Sequence, residues 1–362
     1  MAKSTKYQIL VLGGTGAIGT SLVEILNGQG MFHIVVTSRQ LRKGYDDAEY
    51  RQGDAHDFEW LLPILKEKRW DAIVDFMAYS TEEFYDRVDA LLGATEQYVF
   101  TSSARVYANT GDNLITEESP RLLDICSDKE YLQTDEYALA KARQENALIR
   151  SKQRNWTIIR PYITFSNNRL QLGVMEKENW LIPALNNRPI VFSKDIAECF
   201  TTITDGLAVS KCIAALLTRS EAKGEIFHIT SSESHKWKDI LQWYVEAITS
   251  LKGTKPSVFF TNEWNSVFGG SFYQWKYDRL YNRQFDNSKI RRFISNDVFE
   301  PTEVTIKKAM SEYVKTYTPN ILDLNQSTEL SRGIITRNFL PLHQTKGIKR
   351  KIKLIAYKLH IL

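Results

Sequence analysis

A tyrosine and a lysine stand four residues apart in the segment Tyr137-Ala138-Leu139-Ala140-Lys141. On a helix, this spacing places both side chains on one face. A lysine ammonium beside a phenol favours the phenolate and lowers the phenol pKa from about 10 towards neutral pH, so that the tyrosine can serve as an acid/base. The pattern is also common on solvated helix faces, so its meaning depends on the motifs that precede it.

Hydroxyl side chains end an apolar run upstream of that pair. Thr101, Ser102 and Ser103 follow Val99-Phe100. In open α/β folds, ligands bind at the carboxyl ends of parallel strands, which is where these hydroxyls would lie. A serine hydroxyl there can hold a substrate oxygen while charge shifts.

A glycine-rich loop near the amino end has the spacing of a dinucleotide site. Gly13, Gly16 and Gly19 follow the apolar run 9–12 and precede a helical pattern. In this strand, loop and helix context, the glycines permit a tight turn, approach of the backbone to a pyrophosphate and close packing of helix on strand. The N–H groups at the helix start then face the phosphates. A mere tight turn is the alternative for the glycine pattern taken alone.

The end of the second strand distinguishes NAD from NADP. NAD enzymes commonly place a carboxylate there for the ribose hydroxyls, whereas NADP requires a cation for the 2′-phosphate. This strand ends in Ser38-Arg39, followed by Arg42 and Lys43, without an acid. We therefore expect NADP or NAD with NADP slightly favoured, the alternative being a solvated basic turn. Asp54 is expected to face the adenine amino group.

The elements that must position these residues alternate along the first half of the chain. The patterns predict strands over 7–12, 32–37, 72–76, 97–101 and 156–160, and helices over 18–26, 58–66, 82–92 and from Thr134, which is expected as an N-cap. Residues 108–133 are predicted to be a long loop. This order predicts an α/β fold: a Rossmann-like doubly wound parallel sheet, with a smaller mixed α/β C-terminal substrate domain.

Three regions are expected along the chain. Residues 1–165 form the Rossmann dinucleotide-binding domain, with later returns near 190–230, where the run 225–229 reads as a strand. Residues 166–320 form the substrate-binding domain, and 321–362 form a C-terminal extension with a basic amphipathic tail.

Composition excludes several classes of protein. The chain has 362 residues, 43% hydrophobic and 25% charged, which is typical of a soluble globular protein. Three cysteines without a CxxC pair predict no disulfide framework, and six histidines without ligand spacing predict no metal site. No apolar run has the length of a signal segment or a membrane span, so a cytoplasmic location is expected.

The basic balance is local to the C-terminal end. The net charge is +4, yet residues 346–362 carry six cations and no acid. Ile348, Ile352, Ile355 and Leu359 recur at helical spacing between these cations, which predicts an amphipathic helix able to rest on an anionic membrane surface or on a partner. A simply docked terminal helix is the alternative. Nucleic acid is not expected as a partner.

As a set, these motifs resemble the extended short-chain dehydrogenase/reductases, in the branch of NAD(P)-dependent nucleotide-sugar epimerases and dehydratases. The matching segments are the glycine loop at 13–19, Gly-Asp at 53–54, Ser-Ser-x-x-Val-Tyr at 102–107, Tyr-x-x-x-Lys at 137–141, Arg-Pro at 160–161 and Asp-Asn-Ser-Lys at 286–289.

The resemblance implies a role for each matching residue. Ser103, Tyr137 and Lys141 would be catalytic, with Tyr137 as acid/base. The residues expected at the cofactor are Gly13, Thr15, Gly16, Ala17, Ile18, Gly19, Ser38, Arg39, Asp54, Ala55, Ala78, Thr101, Tyr137, Lys141 and Tyr162. The residues expected at the substrate are Ser102, Ser103, Asn168 and Lys276. The resemblance also implies that a second copy of the chain is a partner, in a homodimer.

The implied activity is hydride transfer at a ring carbon of a nucleotide-activated sugar. Several positions depart from the family pattern. Ile163 stands where an asparagine is usual, and Ala104-Arg105 replaces the hydroxyl and Glu pair of sugar 4,6-dehydratases. Epimerisation or reduction is therefore favoured over dehydration. The alternatives are an NADPH-dependent reductase of a keto-sugar or another carbonyl, and a non-catalytic dinucleotide-binding protein that binds RNA or a partner.

Overall fold

The structure is a computed structural model that describes residues 6–111, 113–262, 264–320 and 323–358. Its contacts divide the chain into two compact units. The first comprises Met1–Thr164, Thr202–Ser232 and Phe285–Glu300. The second comprises Phe165–Thr201, Glu233–Gln284 and Pro301–Leu362. Each unit is therefore built from three separate stretches of chain.

The strands in the described residues are β1 Tyr7–Leu12, β2 Phe32–Ser38, β3 Ala48–Gln52, β4 Ala72–Asp75, β5 Tyr98–Thr101, β6 Trp156–Pro161, β7 Thr164–Phe165, β8 Ile190–Ser193, β9 Phe200–Thr201, β10 Thr204–Asp205, β11 Glu225–Ile229, β12 His235–Lys236 and β13 Val258–Thr261.

The α-helices are α1 Ala17–Gly28, α2 Phe58–Lys66, α3 Thr81–Tyr85, α4 Val88–Gly93, α5 Leu122–Ile125, α6 Lys129–Leu132, α7 Tyr137–Arg150, α8 Lys177–Leu185, α9 Lys194–Ala197, α10 Gly206–Leu216, α11 Trp237–Lys252, α12 Phe272–Gln274, α13 Thr302–Thr316, α14 Gln326–Thr336 and α15 Ile348–Lys358.

The first unit is built on a parallel sheet. Seven strands among the described residues pair in the order β11-β6-β5-β4-β1-β2-β3, each parallel to its neighbours. The strand order reverses between β1 and β4, and ligands of open α/β sheets bind outside the carboxyl ends at such a point. The predicted Rossmann-like doubly wound sheet is confirmed.

Both faces of this sheet are buried, as expected for parallel strands covered by crossover helices. Along β1, Ile9 and Val11 pack into one apolar cluster, and Leu10 and Leu12 pack into another. The first cluster includes α1 and α10, which are also joined by the hydroxyl of Ser210, since it donates to the carbonyl of Ile18 at 2.8 Å. The sheet edge that carries the loops is thus held rigidly from both sides.

Four local predictions were wrong. Strand β3 was not predicted, and the expected helix over 82–92 is divided into α3 and α4. The division occurs at Arg87, whose buried guanidinium donates to the carbonyls of Ala55 and His56 at 3.1 Å. The expected loop 108–133 contains the short helices α5 and α6. Thr134 is not the N-cap, because Glu136 takes that position and its side chain accepts from the N–H of Ala138.

The second unit has mixed elements of its own. Strands β8 and β13 pair in parallel, β9 and β12 pair antiparallel, and α11 packs on α13. Helices α14 and α15, from the predicted extension 321–362, also lie in this unit. None of the described helices is long and apolar enough to cross a membrane.

Candidate active site

Each of the three glycines of the loop after β1 has a different steric environment. Gly13 has a φ of +68°, and its N–H donates to Thr37 Oγ1 at 3.0 Å. A Cβ on Gly19 would lie 2.6 Å from the Cα of Gly14, so the helix and the loop pack too closely for a side chain. A Cβ on Gly16 would meet no described atom within 4 Å. The protein itself therefore does not require glycine at position 16, but a ligand against the backbone would.

The start of α1 offers N–H donors at the same place. Helix α1 begins at Ala17, and no described side chain caps it from Gly16. Its first N–H groups and the positive end of its dipole suit a phosphate. The half-buried Thr15 precedes this turn, whereas Ile18 packs against the core. These residues fit the pyrophosphate of a dinucleotide.

Cationic side chains are exposed in the segment that follows β2. The Ser38 side chain is buried and donates to the carbonyl of Gln40 at 2.8 Å, while Arg39 is exposed. Arg42 and Lys43 are also exposed. Arg39 is therefore accessible to a cofactor, whereas the hydroxyl of Ser38 is engaged within the protein.

The predicted adenine-side residues lie in two loops of the first unit. Asp54 is exposed, and its carboxylate accepts from the N–H of His56 at 3.0 Å. Ala55 is buried, and Ala78 is exposed just after Met77 at the end of β4. Asp54 thus closes a local turn while its side chain stays accessible to solvent.

The three hydroxyls after β5 have different environments. In the described part of the chain, Thr101 Oγ1 is buried and has no hydrogen-bond partner. Ser102 is buried and its hydroxyl donates to Glu145 Oε1 at 2.6 Å. Ser103 Oγ accepts from the N–H of Arg105 at 3.2 Å, which leaves its own O–H as a donor. Ser102 is therefore engaged inside the protein by Glu145, and its contact with a substrate stays a prediction.

Glu145 is the centre of a buried ionic cluster that sequence reasoning missed. Its carboxylate accepts two bonds from Arg160, at 2.8 and 2.7 Å, and one from Arg121 at 3.1 Å. Burial raises the pKa of Glu145, but Arg160, Ser102 and Arg121 outweigh this effect and hold the pKa below its usual range. A charged carboxylate therefore ties α7 to the ends of β5 and β6.

Lys141 reaches from α7 to the end of β4. Its Nζ donates to the carbonyl of Met77 at 3.1 Å and lies 4.6 Å from the ring centroid of Phe100. The residue is only 2% exposed, and burial lowers the pKa of Lys141 to about 8 against the raising effect of Asp75 and Glu145. The ammonium is therefore buried at the carboxyl edge of the sheet, and its pKa is close to neutral pH.

Tyr137 begins α7 and stays accessible. It is 40% exposed, and the guanidinium of Arg105 lies 5.4 Å from its ring centroid. Arg105 also forms an ion pair with Glu136 at 2.6 Å. Since Arg105 contacts both Ser103 and Tyr137, the structure brings these two predicted residues to a common neighbour. Arg105 and Glu136 were not predicted as site residues.

Three predicted contacts fall outside this cluster. The ring of Tyr162 is buried and packs on Phe285 with centroids 5.2 Å apart, so it is a core contact. Asn168 is exposed, and Lys276 Nζ lies 4.8 Å from the ring centroid of Tyr277. Both belong to the second unit.

One signal in the sequence could have identified Glu145. It stands four residues after Lys141 and eight after Tyr137, so all three share one face of α7. The pairing with Arg160 is visible only in the fold. Among the described residues, no group of three or more His, Cys, Asp or Glu side chains is placed to hold a metal ion.

Known proteins that resemble this chain belong to one family. The model of the NAD dependent epimerase/dehydratase family matches residues 9–208. This match confirms the resemblance drawn from the motifs. The chain is similar to a UDP-glucose 4-epimerase of Lactobacillus helveticus, with 32% identity over 133 residues, covering 31% of this chain and 40% of that protein.

Two further similarities bear on fold and function. A chloroplast stem-loop binding protein of 41 kDa from Arabidopsis thaliana is 28% identical over 207 residues, covering 52% of this chain and 50% of that protein. The chain thus spans half or less of the curated relatives it matches. The crystal structure of dTDP-glucose 4,6-dehydratase from Bacillus anthracis with NAD superposes with a TM-score of 0.64 at 18% identity, covering 86% of this chain and 97% of that one. At this identity the likeness shows the fold alone.

A substitution at Gly16 distinguishes an effect on ligand binding from an effect on folding. We expect Gly16→Val to weaken dinucleotide binding by roughly tenfold or more, because the side chain occupies the space of the phosphate, while stability stays nearly unchanged. Titration calorimetry and thermal melts measure the two effects. Gly28→Val, at the exposed end of the same helix, is the matched control. Unchanged affinity in Gly16→Val would reject the loop as the phosphate site.

The lowered pKa of Lys141 predicts that the stability of the protein depends on pH. Its pKa is about 8 in the folded protein and about 10.4 in an unfolded chain. Between these values the unfolded chain binds the extra proton, so this group makes the free energy of unfolding rise with pH, by on the order of 3 kcal/mol in total. Urea unfolding from pH 7.5 to 10 should show this rise in the wild type and not in Lys141→Met.

The exposed Lys152 provides the control for that measurement. Lys152→Met should keep the wild-type pH dependence. Parallel curves for the wild type and Lys141→Met would mean that Lys141 is not held with a lowered pKa.

Proposed function

Because the chain belongs to the NAD dependent epimerase/dehydratase family, we propose that it transfers hydride at a ring carbon of a nucleotide-activated sugar, as an epimerase or oxidoreductase. The observation that carries the proposal is the placement of a buried Lys141 on the same face of α7 as the accessible Tyr137, next to the turn that holds Ser103. This is an acid/base arrangement at the ligand-binding edge of the sheet.

Each of these residues has a separate role in the proposed reaction. The phenolate of Tyr137 takes the proton of the reacting sugar hydroxyl and becomes the phenol, and Ser103 donates a hydrogen bond to the same oxygen as its charge changes. Lys141 on the same face of α7, and Arg105 at 5.4 Å from the ring centroid of Tyr137, would supply the positive charge that this role requires. When bound, the nicotinamide supplies the site that accepts and returns the hydride.

The cofactor is a nicotinamide dinucleotide, and we propose a preference for NADP. The glycine loop and the uncapped start of α1 fit the pyrophosphate. The exposed Arg39 stands where a cation would meet a 2′-phosphate, and residues 37–43 contain no acid for the ribose hydroxyls. The substrate class is supported by the name of the Lactobacillus relative, a UDP-glucose 4-epimerase.

A second candidate function comes from the other relative. The Arabidopsis protein is named for binding a stem-loop, so a dinucleotide-binding fold used for RNA is the rival proposal. The combination of Ser103, Tyr137 and Lys141 favours the enzyme, because a binding module has no need of a buried lysine on the helix face that carries an exposed tyrosine.

Tyr137 distinguishes these two proposals. We expect Tyr137→Phe to lower turnover by about a hundredfold or more, since general acid/base catalysis contributes about that much, while dinucleotide affinity stays nearly constant. Turnover is followed by NMR on UDP- and dTDP-hexoses with either dinucleotide. Tyr85→Phe, at an exposed tyrosine of α3, is the control. A protein that binds a stem-loop RNA equally well with either residue and turns over none of the sugars would favour the rival.

Arg39 tests the choice of dinucleotide. We expect Arg39→Ser to weaken NADP⁺ binding by roughly tenfold, because a charge-assisted contact to the 2′-phosphate is lost, and to leave NAD⁺ binding nearly constant. Calorimetric titration of both dinucleotides measures the difference. Arg219→Ser, at an exposed arginine away from β2, should change neither. A wild-type protein that binds NAD⁺ more tightly than NADP⁺ would overturn the preference.

A further inference from the structure

The C-terminal helix presents an apolar stripe to the outside of the second unit. Helix α15 spans Ile348–Lys358, and Ile348, Ile352 and Ile355 recur at i, i+4 and i+7 on one face. They are 77%, 62% and 41% exposed. Leu359, the last residue of the predicted stripe, lies outside the described residues. Three isoleucines on one face of a helix are thus open to solvent.

A different face of the same helix holds it to the protein. Leu354 is 2% exposed and lies with Leu330, Phe339 and Leu340 around a small apolar pocket against α14. At 100° per residue, Leu354 projects far from the isoleucine stripe. The alternative of a simply docked helix therefore explains Leu354 but leaves the isoleucines unexplained.

Cations flank the isoleucine stripe. Lys351 lies on one side of it and Lys349 lies on the other, by the same angular count, whereas Lys353 lies farther round the helix. The segment 346–358 carries no acid. Apolar residues flanked by lysines are the arrangement by which a helix lies in a membrane interface.

A polar cleft beside the helix has room for a phosphate group. Lys349, Arg350 and Lys353 line it together with Leu330 and the hydroxyl residues Ser266, Ser327 and Ser331, and its volume is about 390 Å³. Ser266 and Ser331 are joined by a hydrogen bond of 2.8 Å. Cations and hydroxyls without a carboxylate form a surface that favours anions.

We propose that α15 docks the protein onto an anionic membrane surface. The isoleucine stripe enters the boundary between headgroups and acyl chains, the flanking lysines contact lipid phosphates, and the polar cleft receives a headgroup. Nucleic acid fits less well, because isoleucines gain nothing against a phosphodiester backbone. A second copy fits less well too, because two such helices would bring like charges together. The proposal does not depend on the reaction assigned to Tyr137.

Vesicle sedimentation of the full chain tests this docking. We expect binding to phosphatidylcholine vesicles that contain roughly one third phosphatidylserine, weak binding to pure phosphatidylcholine, and loss of binding in high salt. Ile348→Gln combined with Ile352→Gln should reduce the affinity for anionic vesicles by roughly tenfold or more. The triple change Lys349→Gln, Lys351→Gln and Lys353→Gln should do the same, because the electrostatic attraction is lost.

Helix α13 of the same unit provides the control. Val304→Gln combined with Lys308→Gln changes an exposed apolar residue and an exposed lysine there, and should bind vesicles like the wild type. All variants keep Leu354, and unchanged thermal melts show that they remain folded. Equal binding to neutral and anionic vesicles, or no binding to either, would overturn the proposal. So would stem-loop RNA binding, or self-association, that the α15 variants abolish while the wild type ignores vesicles.

Discussion

The buried carboxylate of Glu145 is the interaction on which the arrangement of the site depends. It accepts from Ser102 after β5, from Arg160 on β6 and from Arg121 before α5. A carboxylate placed in the interior is tolerated only when such partners satisfy it, and removing one partner leaves an uncompensated charge. The cluster therefore fixes both the rotation and the height of α7 against the sheet.

The same helix face carries the residues that we propose for catalysis. Tyr137, Lys141 and Glu145 stand at four-residue intervals along α7. The first is exposed, and the other two are buried. Anchoring the helix at Glu145 holds Lys141 at the end of β4, where the surroundings disfavour its charge. Active sites often keep such unfavourable groups, which the rest of the fold must compensate. Here the compensation comes from Asp75, Glu145 and the carbonyl of Met77.

The sequence was informative where one local rule decides the structure. The glycine loop and the alternation of β-branched runs with helical patterns predicted the parallel sheet and the turn between β1 and α1. The sequence was uninformative where a residue distant along the chain determines the local structure. Arg87 ends a predicted helix because it donates to carbonyls of another loop, and Ser102 turns inward because Glu145 is there. Neither partner can be assigned from spacing along the chain. At the C-terminal helix, the pattern identified the isoleucine stripe but not the anchoring role of Leu354.

The composition of the first unit from three separate stretches of chain has a consequence for biosynthesis. Its core takes Val209 and Ile213 from the second stretch and Ile290 from the third, and strand β11 pairs with β6. During translation, the first 164 residues emerge without these partners, leaving one face of the sheet incomplete. Such long-range contacts slow folding and expose apolar surface in the meantime. The core of the first unit is therefore complete only after about residue 300 has left the ribosome, and no single cut can separate the two units into independent proteins.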